Sequence, residues 1–349
     1  MGQPHHRIGT IRGLPGAQRE GNTGFLATPG AEIAFAALIL MALASAVGAQ
    51  EWPAKPIRVV VPFAAGSVAE AIFRTMSPGI EAKLGQRFLV DNRPGADAVI
   101  GTENVMRSTP DGYSLLIGST SVFAVKQHMI RDLGFDPLTA FEPVSLLAEA
   151  SLIAVVSPGV QSKSLKELSD FLRANSGRYN FGAQGAGSPT HLTGVFFSQQ
   201  TGNSMVYVPY KGTPELVRAL LTDDIQIAFP TLTAVAGQVR AGKLRVLAAM
   251  TNKRLDELPE VPTTVESGFP QLAASNWWML AAPARTPAPI IQRLAAEFRS
   301  ALADPEVRRR LAAVGQTPMD ISPADTPAFL QAESARYKTI VERGGVTRE

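Results

Sequence analysis

From residue 57 onward the apolar residues of this chain fall into two alternating patterns. Short β-branched or aliphatic runs, bounded by Gly, Pro or Asn, predict strands at Ile57–Val61, Phe88–Asp91, Ser114–Ile117, Ile153–Val156, Tyr179–Phe181, Met205–Val208, Ile225–Phe229, Leu244–Ala249 and Trp278–Ala282. Between them the apolar positions take up a helical spacing. Val68–Leu84 reads as a helix. Ser164-Leu165-Lys166-Glu167 is a capping box, after which Leu165, Leu168 and Leu172 share one face up to a stop at Asn175-Ser176-Gly177. Thr286-Pro287 opens a helix lined by Ile290, Leu294 and Phe298, and Pro305–Val314 and Pro323–Val341 predict two more, the last stopped by Gly344-Gly345.

Repeated strand–helix alternation predicts an α/β fold with largely parallel sheets, and unbroken apolar runs such as Val59–Val61 suit strands covered on both faces. No long linker divides the chain, yet it is too long for one comfortable α/β sheet. A chain that passes twice between two lobes resolves this, with crossovers predicted at Leu146–Ile153 and Gln271–Trp278. The expected organisation is residues 50–150 plus 276–349 as one discontinuous lobe and 151–275 as the other, with a ligand cleft between them.

The first residues read differently. An apolar run at Ile33–Ala46, short for a membrane span, is followed by Val47-Gly48-Ala49-Gln50, whose small residues suit cleavage after Ala49. Residues 1–49 are therefore expected to be a signal peptide with an N-terminal extension, leaving a mature chain that begins at Gln50 and does not span the membrane. The formal net charge of the whole chain is +3. The leader removes Arg7, Arg12, Arg19, Glu20 and Glu32, so the remaining balance is mild, and no Lys/Arg cluster with interleaved aromatics suggests nucleic acid. Cysteine is absent, which excludes disulfides, thiol nucleophiles and cysteine metal sites.

Enzyme signatures mostly fail. There is no nucleophile elbow, phosphate-loop lysine motif or dinucleotide fingerprint, and His128 and His191, the histidines beyond the leader, have no metal-ligand spacing. No catalytic residue, metal or cofactor is expected. Glycine-rich turns at strand ends are more numerous: Phe63–Glu70 with Gly66, Gly118–Ser121, and Gly182–His191 with Gly187. Such turns leave backbone N–H groups at helix N-termini, where the macrodipole favours an anion, and Ser67, Ser119, Thr120, Ser188 and Thr190 add neutral donors. His191 either contacts a ligand or caps its own loop. Tyr210 or Lys211 could reach a ligand from the turn after Met205–Val208, or be a packed tyrosine beside a solvated lysine. Trp277 and Trp278 read as core more readily than as cleft border.

Ordered motifs over residues 52–346 resemble the Bug-type extracytoplasmic solute receptors, the substrate-binding subunits of tripartite tricarboxylate transporters. The matching pieces are Lys55–Phe63, Asp91–Ala96, Pro110–Tyr113, Gly185–Leu192, Val208–Gly212, Leu258–Gly268 and Pro287–Arg308. The resemblance implies a two-lobed periplasmic binding protein fold of type II-like form, closing on a small carboxylate and delivering it to membrane permease subunits. It also implies that the first glycine loop and the His191 loop grip the carboxylate. The chain departs from the family pattern at Ser67, where a second glycine is usual, at Glu70, usually aspartate, and at Pro230, also usually aspartate. The expected ligand-binding set is Phe63, Gly66, Ser67, Glu70, Ser119, Thr120, Gly187, Ser188, Thr190, His191 and Tyr210. Rival readings are a ligand-sensing partner of a membrane kinase and a periplasmic hydrolase using a dispersed Ser–His pair.

Overall fold

The computed structural model describes residues 52–346; the predicted leader and its cleavage before Gln50 lie outside the described residues. A six-stranded sheet runs in the order β11–β4–β10–β3–β1–β2. Its members are β1 (Ile57–Val61), β2 (Phe88–Asn92), β3 (Ser114–Ser119), β4 (Phe141–Ser151), β10 (Ser275–Pro283) and β11 (Thr317–Pro318). A five-stranded sheet runs β7–β6–β8–β5–β9, from β5 (Ile153–Val156), β6 (Asn180–Gln184), β7 (Val206–Tyr210), β8 (Ile227–Ala228) and β9 (Arg245–Ala249). The helices are α1 (Val68–Leu84), α2 (Val99–Met106), α3 (Lys126–Met129), α4 (Leu165–Ala174), α5 (Pro189–Thr201), α6 (Thr213–Leu221), α7 (Leu232–Arg240), α8 (Ala288–Ala303), α9 (Pro305–Ala313) and α10 (Thr326–Gly344). Among the described residues no helix is long and apolar enough to cross a membrane.

The sheets are mixed, which corrects the expectation of largely parallel ones. β1 lies parallel to β2 and β3, and β6 parallel to β7 and β8, but β10 runs antiparallel to β3 and β4, and β5 antiparallel to β8 and β9. The cause is the route of the chain. It leaves the first sheet at Ser151 and re-enters it opposite that point, with Ser275 paired to Ser151, so the two strands must run in opposite senses. At this junction Leu152 N–H donates to Ala274 O (3.3 Å), Ala274 N–H to Met250 O (2.8 Å) and Met250 N–H to Leu152 O (2.9 Å). Three chain segments thus close a ring of backbone hydrogen bonds where the sheets meet, satisfying polar groups that burial would otherwise leave unpaired.

Three apolar clusters follow from this layout. One face of the first sheet packs against α1 and α8 through Ile72, Phe73, Leu294 and Phe298. One face of the second sheet packs through Leu216, Leu220 and Val235 of α6 and α7. The third cluster is continuous between the sheets and runs from Val60 and Phe123 through Phe197 and Trp277 to Tyr337 and Ile340. Helix α10 ties it together: Trp277 Nε1 donates to Glu333 (2.9 Å), and Gln199 Nε2 of α5 donates to Ile340 O (3.0 Å).

Local signals set the helix ends. Ser164 caps α4 by accepting from Glu167 N–H, while the Glu167 carboxylate turns back to Lys163 N–H. Helix α1 spans the predicted residues and ends at Gly85 with φ 67°. Five strands run further than expected: β2 to Asn92, β7 to Tyr210, which is therefore strand and not turn, β10 from Ser275 to Pro283, and β3 and β6 at the glycine turns. β3 continues through Gly118 and Ser119, so these are strand and not turn, and β6 continues to Gln184, which shortens the following loop. Gly118 is needed where it stands because a Cβ would collide with the Phe123 ring.

Gly194 plays the same part for α5, whose backbone lies against the Phe181 ring of β6. Gly194→Ala is expected to push the helix off the sheet and cost about 1–3 kcal/mol, read as a lowered urea midpoint with an unchanged slope. An unaltered midpoint would show that the helix can shift at no cost.

Candidate functional site

The parallel strands β1, β2 and β3 send their carboxyl ends to one edge of the first sheet, so the loops after them are neighbours. In the first of these loops, Gly66 takes φ 78° and Ser67 stands at the N-cap position of α1 without capping it. Ser67 Oγ is buried and has no hydrogen-bond partner within the protein. Glu70 is buried and occupied: its carboxylate accepts from Arg74 Nε (2.6 Å), Gly66 N–H (3.0 Å) and Asn92 Nδ2 (3.2 Å). The Arg74 guanidinium, followed by the Gly66 N–H, holds this carboxyl below its ordinary range. The longer acid in place of aspartate therefore folds back on its own loop and consumes the Gly66 donor.

The loop of the second sheet is organised the same way. Gly187, with φ 73°, donates its N–H to His191 Nδ1 (3.0 Å), and Ser188 Oγ accepts from His191 N–H (3.2 Å) while sharing a hydrogen bond with Thr190 Oγ1 (3.0 Å). The His191 ring lies between Phe181 and Tyr207, with centroids at 6.0 and 3.9 Å. Burial pushes its pKa down to about 4. With Nδ1 accepting, the neutral ring carries its proton on Nε2. His191 caps its own loop, and it lines a cavity of about 520 Å³ behind α5, together with Ser198, Asn203 and Tyr207.

A cavity of about 510 Å³ lies between elements that follow β2 and β3 and the loop that follows β6. Ala96, Asp97, Val125, Lys126 and Met129 form one side, Ala186 and Gly187 the other. Contact across it is tight, because a Cβ on Gly187 would lie 3.2 Å from the Met129 methyl. Of the predicted site residues, all within the described chain, Gly187 is the one on its wall.

Two of the wall residues outside the predicted set are paired charges. Lys126 is only 6% exposed and forms an ion pair with Asp97, whose side chain is 79% exposed. Asp97 sits in a left-handed run, with φ 43° at Ala96, 48° at Asp97 and 76° at Ala98, directly after Gly95 at φ 133°. Left-handed backbone costs about 1–2 kcal/mol for each residue with a Cβ. The available signal was a lysine directly after the apolar run Val122–Val125.

The remaining predicted residues hold structure. Thr120 is fully buried, and its Oγ1 accepts from Trp277 N–H (2.8 Å). Ser119 ends β3 opposite Trp278 and is also buried. Phe63 packs edge-on against Trp278, at 5.6 Å between centroids. Tyr210 is half-buried in the second-sheet cluster, and its pKa is raised by burial. Lys211 is exposed and Trp277 is core. A serine and a histidine from distant segments do meet, His128 Nε2 and Ser334 Oγ sharing a hydrogen bond at 2.9 Å, while Gln127 Nε2 donates to the same oxygen (2.6 Å). Ser334 is a buried residue of α10, and these bonds join that helix to α3.

The profile of the family described as tripartite tricarboxylate transporter family receptor matches residues 72–346. The chain is 33% identical to the protein BugT of Bordetella pertussis over 304 residues, covering 87% of this chain and 93% of that one. Among solved structures it resembles Rpa4515 of R. palustris with adipate, at 29% identity and TM-score 0.72, over 85% of this chain and 99% of that one. It also resembles MatC from Rhodopseudomonas palustris with bound malate, at 26% identity and TM-score 0.69, over 83% and 100%.

His191 makes stability pH-dependent in a definite direction. The unfolded chain takes up a proton at this residue as pH falls through 6.5, the native state only near 4. Its contribution is complete above pH 6.5 and is lost on acidification to pH 4, about 2–3 kcal/mol in all. His191→Gln keeps an acceptor for Gly187 N–H and should abolish that part of the pH dependence, measured by urea unfolding at pH 7 and pH 4.5. Equal losses in both proteins would exclude His191 as the source.

Proposed function

Because the chain belongs to the tripartite tricarboxylate transporter receptor family, we propose that it is a periplasmic receptor that captures a small organic acid and hands it to membrane permease subunits. The observation that carries this reading is the cavity of about 510 Å³ whose walls come from loops of both sheets, a size usual for small-ligand sites. The relatives that carry adipate and malate support a carboxylate as the ligand class. In this reading residues 50–150 plus 276–349 and residues 151–275 act as two lobes that turn about the Leu152–Met250–Ala274 ring. Residues 1–49 direct export and are removed.

Binding is non-covalent. Closure brings the Gly187 loop against Met129 and withdraws the carboxylate from water, which strengthens each charge-assisted hydrogen bond it accepts. Ser67 lies off the wall of this cavity, but its buried, unclaimed oxygen leaves it free to donate to a carboxylate that extends to the first glycine loop. Ser188 and Thr190 hold in shape the turn that carries Gly187, which with Ala186 forms the opposite side.

The test is a thermal-shift and calorimetric screen of carboxylates that includes malate and adipate. A ligand at a hundred times its dissociation constant should stabilise the protein by about 2.7 kcal/mol. Ser67→Ala should weaken binding roughly ten- to a hundredfold, the effect of removing about 1.5–3 kcal/mol of hydrogen bonding to a charge, with stability unchanged. Thr120→Ala should do the reverse, lowering stability because Trp277 N–H loses its acceptor. Absence of any carboxylate hit would defeat the proposal.

A further inference from the structure

We propose that Lys126 is the cation that receives the ligand carboxylate, and that Asp97 is a stand-in counter-ion which the ligand displaces. The inference rests on the carboxylate-receptor reading and assigns the residues that set its specificity. Its basis is a mismatch between the two partners of one ion pair. Lys126 is 6% exposed and cannot be left without an anion, because an isolated buried ammonium is strongly disfavoured. Asp97, which supplies that anion, is 79% exposed and would be well solvated without the pair. To reach the lysine it stands in the middle of the left-handed run Ala96–Ala98. The pair is thus held by the need of the lysine and opposed by the backbone of the aspartate.

A carboxylate entering the cavity satisfies the lysine with the same charge and the same oxygen geometry. It also frees the Gly95–Ala98 loop to relax to right-handed or extended backbone. Among the described residues lining the cavity Lys126 is the only cation, set against Asp97, Glu103 and Asp132. Glu103 already pairs with Arg107. A ligand carboxylate therefore has one cationic place to go, and Asp97 is its competitor there. Val125, Met129, Ile130 and Leu133 offer an apolar bed for the carbon skeleton next to the lysine.

Two experiments on the full mature chain test this. In the first, Asp97→Ala leaves Lys126 without its carboxylate and should lower the melting temperature. Sodium acetate should restore much of the loss, whereas sodium chloride at equal ionic strength should not. Lys126→Met removes the need for a counter-ion, so Asp97→Ala in that background should show no acetate-specific recovery. In the second, calorimetry with malate and adipate should give binding that is several-fold tighter in Asp97→Ala than in the unaltered protein, and at least tenfold weaker in Lys126→Met. Identical responses to acetate and chloride, or equal weakening of acid binding in both single variants, would overturn the displacement model, since a purely structural ion pair predicts those results. If the unaltered protein binds an acid and Lys126→Met binds it equally well, the lysine assignment fails and the receptor reading stands. If neither acid binds but acetate rescues Asp97→Ala, the lysine site stands and malate and adipate are excluded as its ligands.

Discussion

The backbone ring formed by Leu152, Met250 and Ala274 is the constraint from which the rest of the arrangement follows. Each of the three residues donates to one neighbour and accepts from the other, so no segment can leave without breaking two hydrogen bonds. The ring places the end of β4 opposite the start of β10, which makes the first sheet mixed and puts β10 between β4 and β3. Trp277 on β10 is then carried into the space between the sheets, where it stacks on Phe123 with centroids 6.4 Å apart and donates to Glu333. The continuous apolar cluster grows around that side chain.

The polar groups of the two glycine turns follow a different logic. Both glycine turns bend their donors inward: Gly66 N–H to Glu70, and Gly187 N–H to His191 Nδ1. Hydrogen bonding within the protein fixes the shape of both turns. It also leaves them with fewer spare donors than glycine-rich sequence suggests. Positive charge among the described residues lining the cavity comes from Lys126 alone, and Asp97 pairs with it.

Much of this was legible in the sequence. Helix α1 was readable to the residue because its apolar spacing begins after a serine and ends at a glycine free to adopt positive φ. The capping box at Ser164 was equally plain. Strand β4 was not foreseen, since its burial is irregular and its pairing with β10 carries two register shifts, so no clean alternation marks it. Glu70 was placed among the ligand-binding residues because it stands where the family pattern has an aspartate; its hydrogen bonding depends on Arg74 one turn later and on Asn92 from another strand. Lys126 was missed for a related reason. A charge closing an apolar run reads as a helix end, and only the fold brings Asp97, twenty-nine residues away, to meet it.

The position of β10 carries a consequence for how the chain acquires its shape. The second sheet is contiguous in sequence, from Ile153 to Ala249, and can assemble as soon as that stretch is available. The first sheet cannot, because the strand between β3 and β4 is supplied by residues 275–283, after the entire second sheet. Until then β3 and β4 flank an empty place, each with an unpaired edge open to wrong partners. Such long-range pairings make assembly slow, and a chain released before Pro283 would present a finished half beside an adhesive, incomplete one.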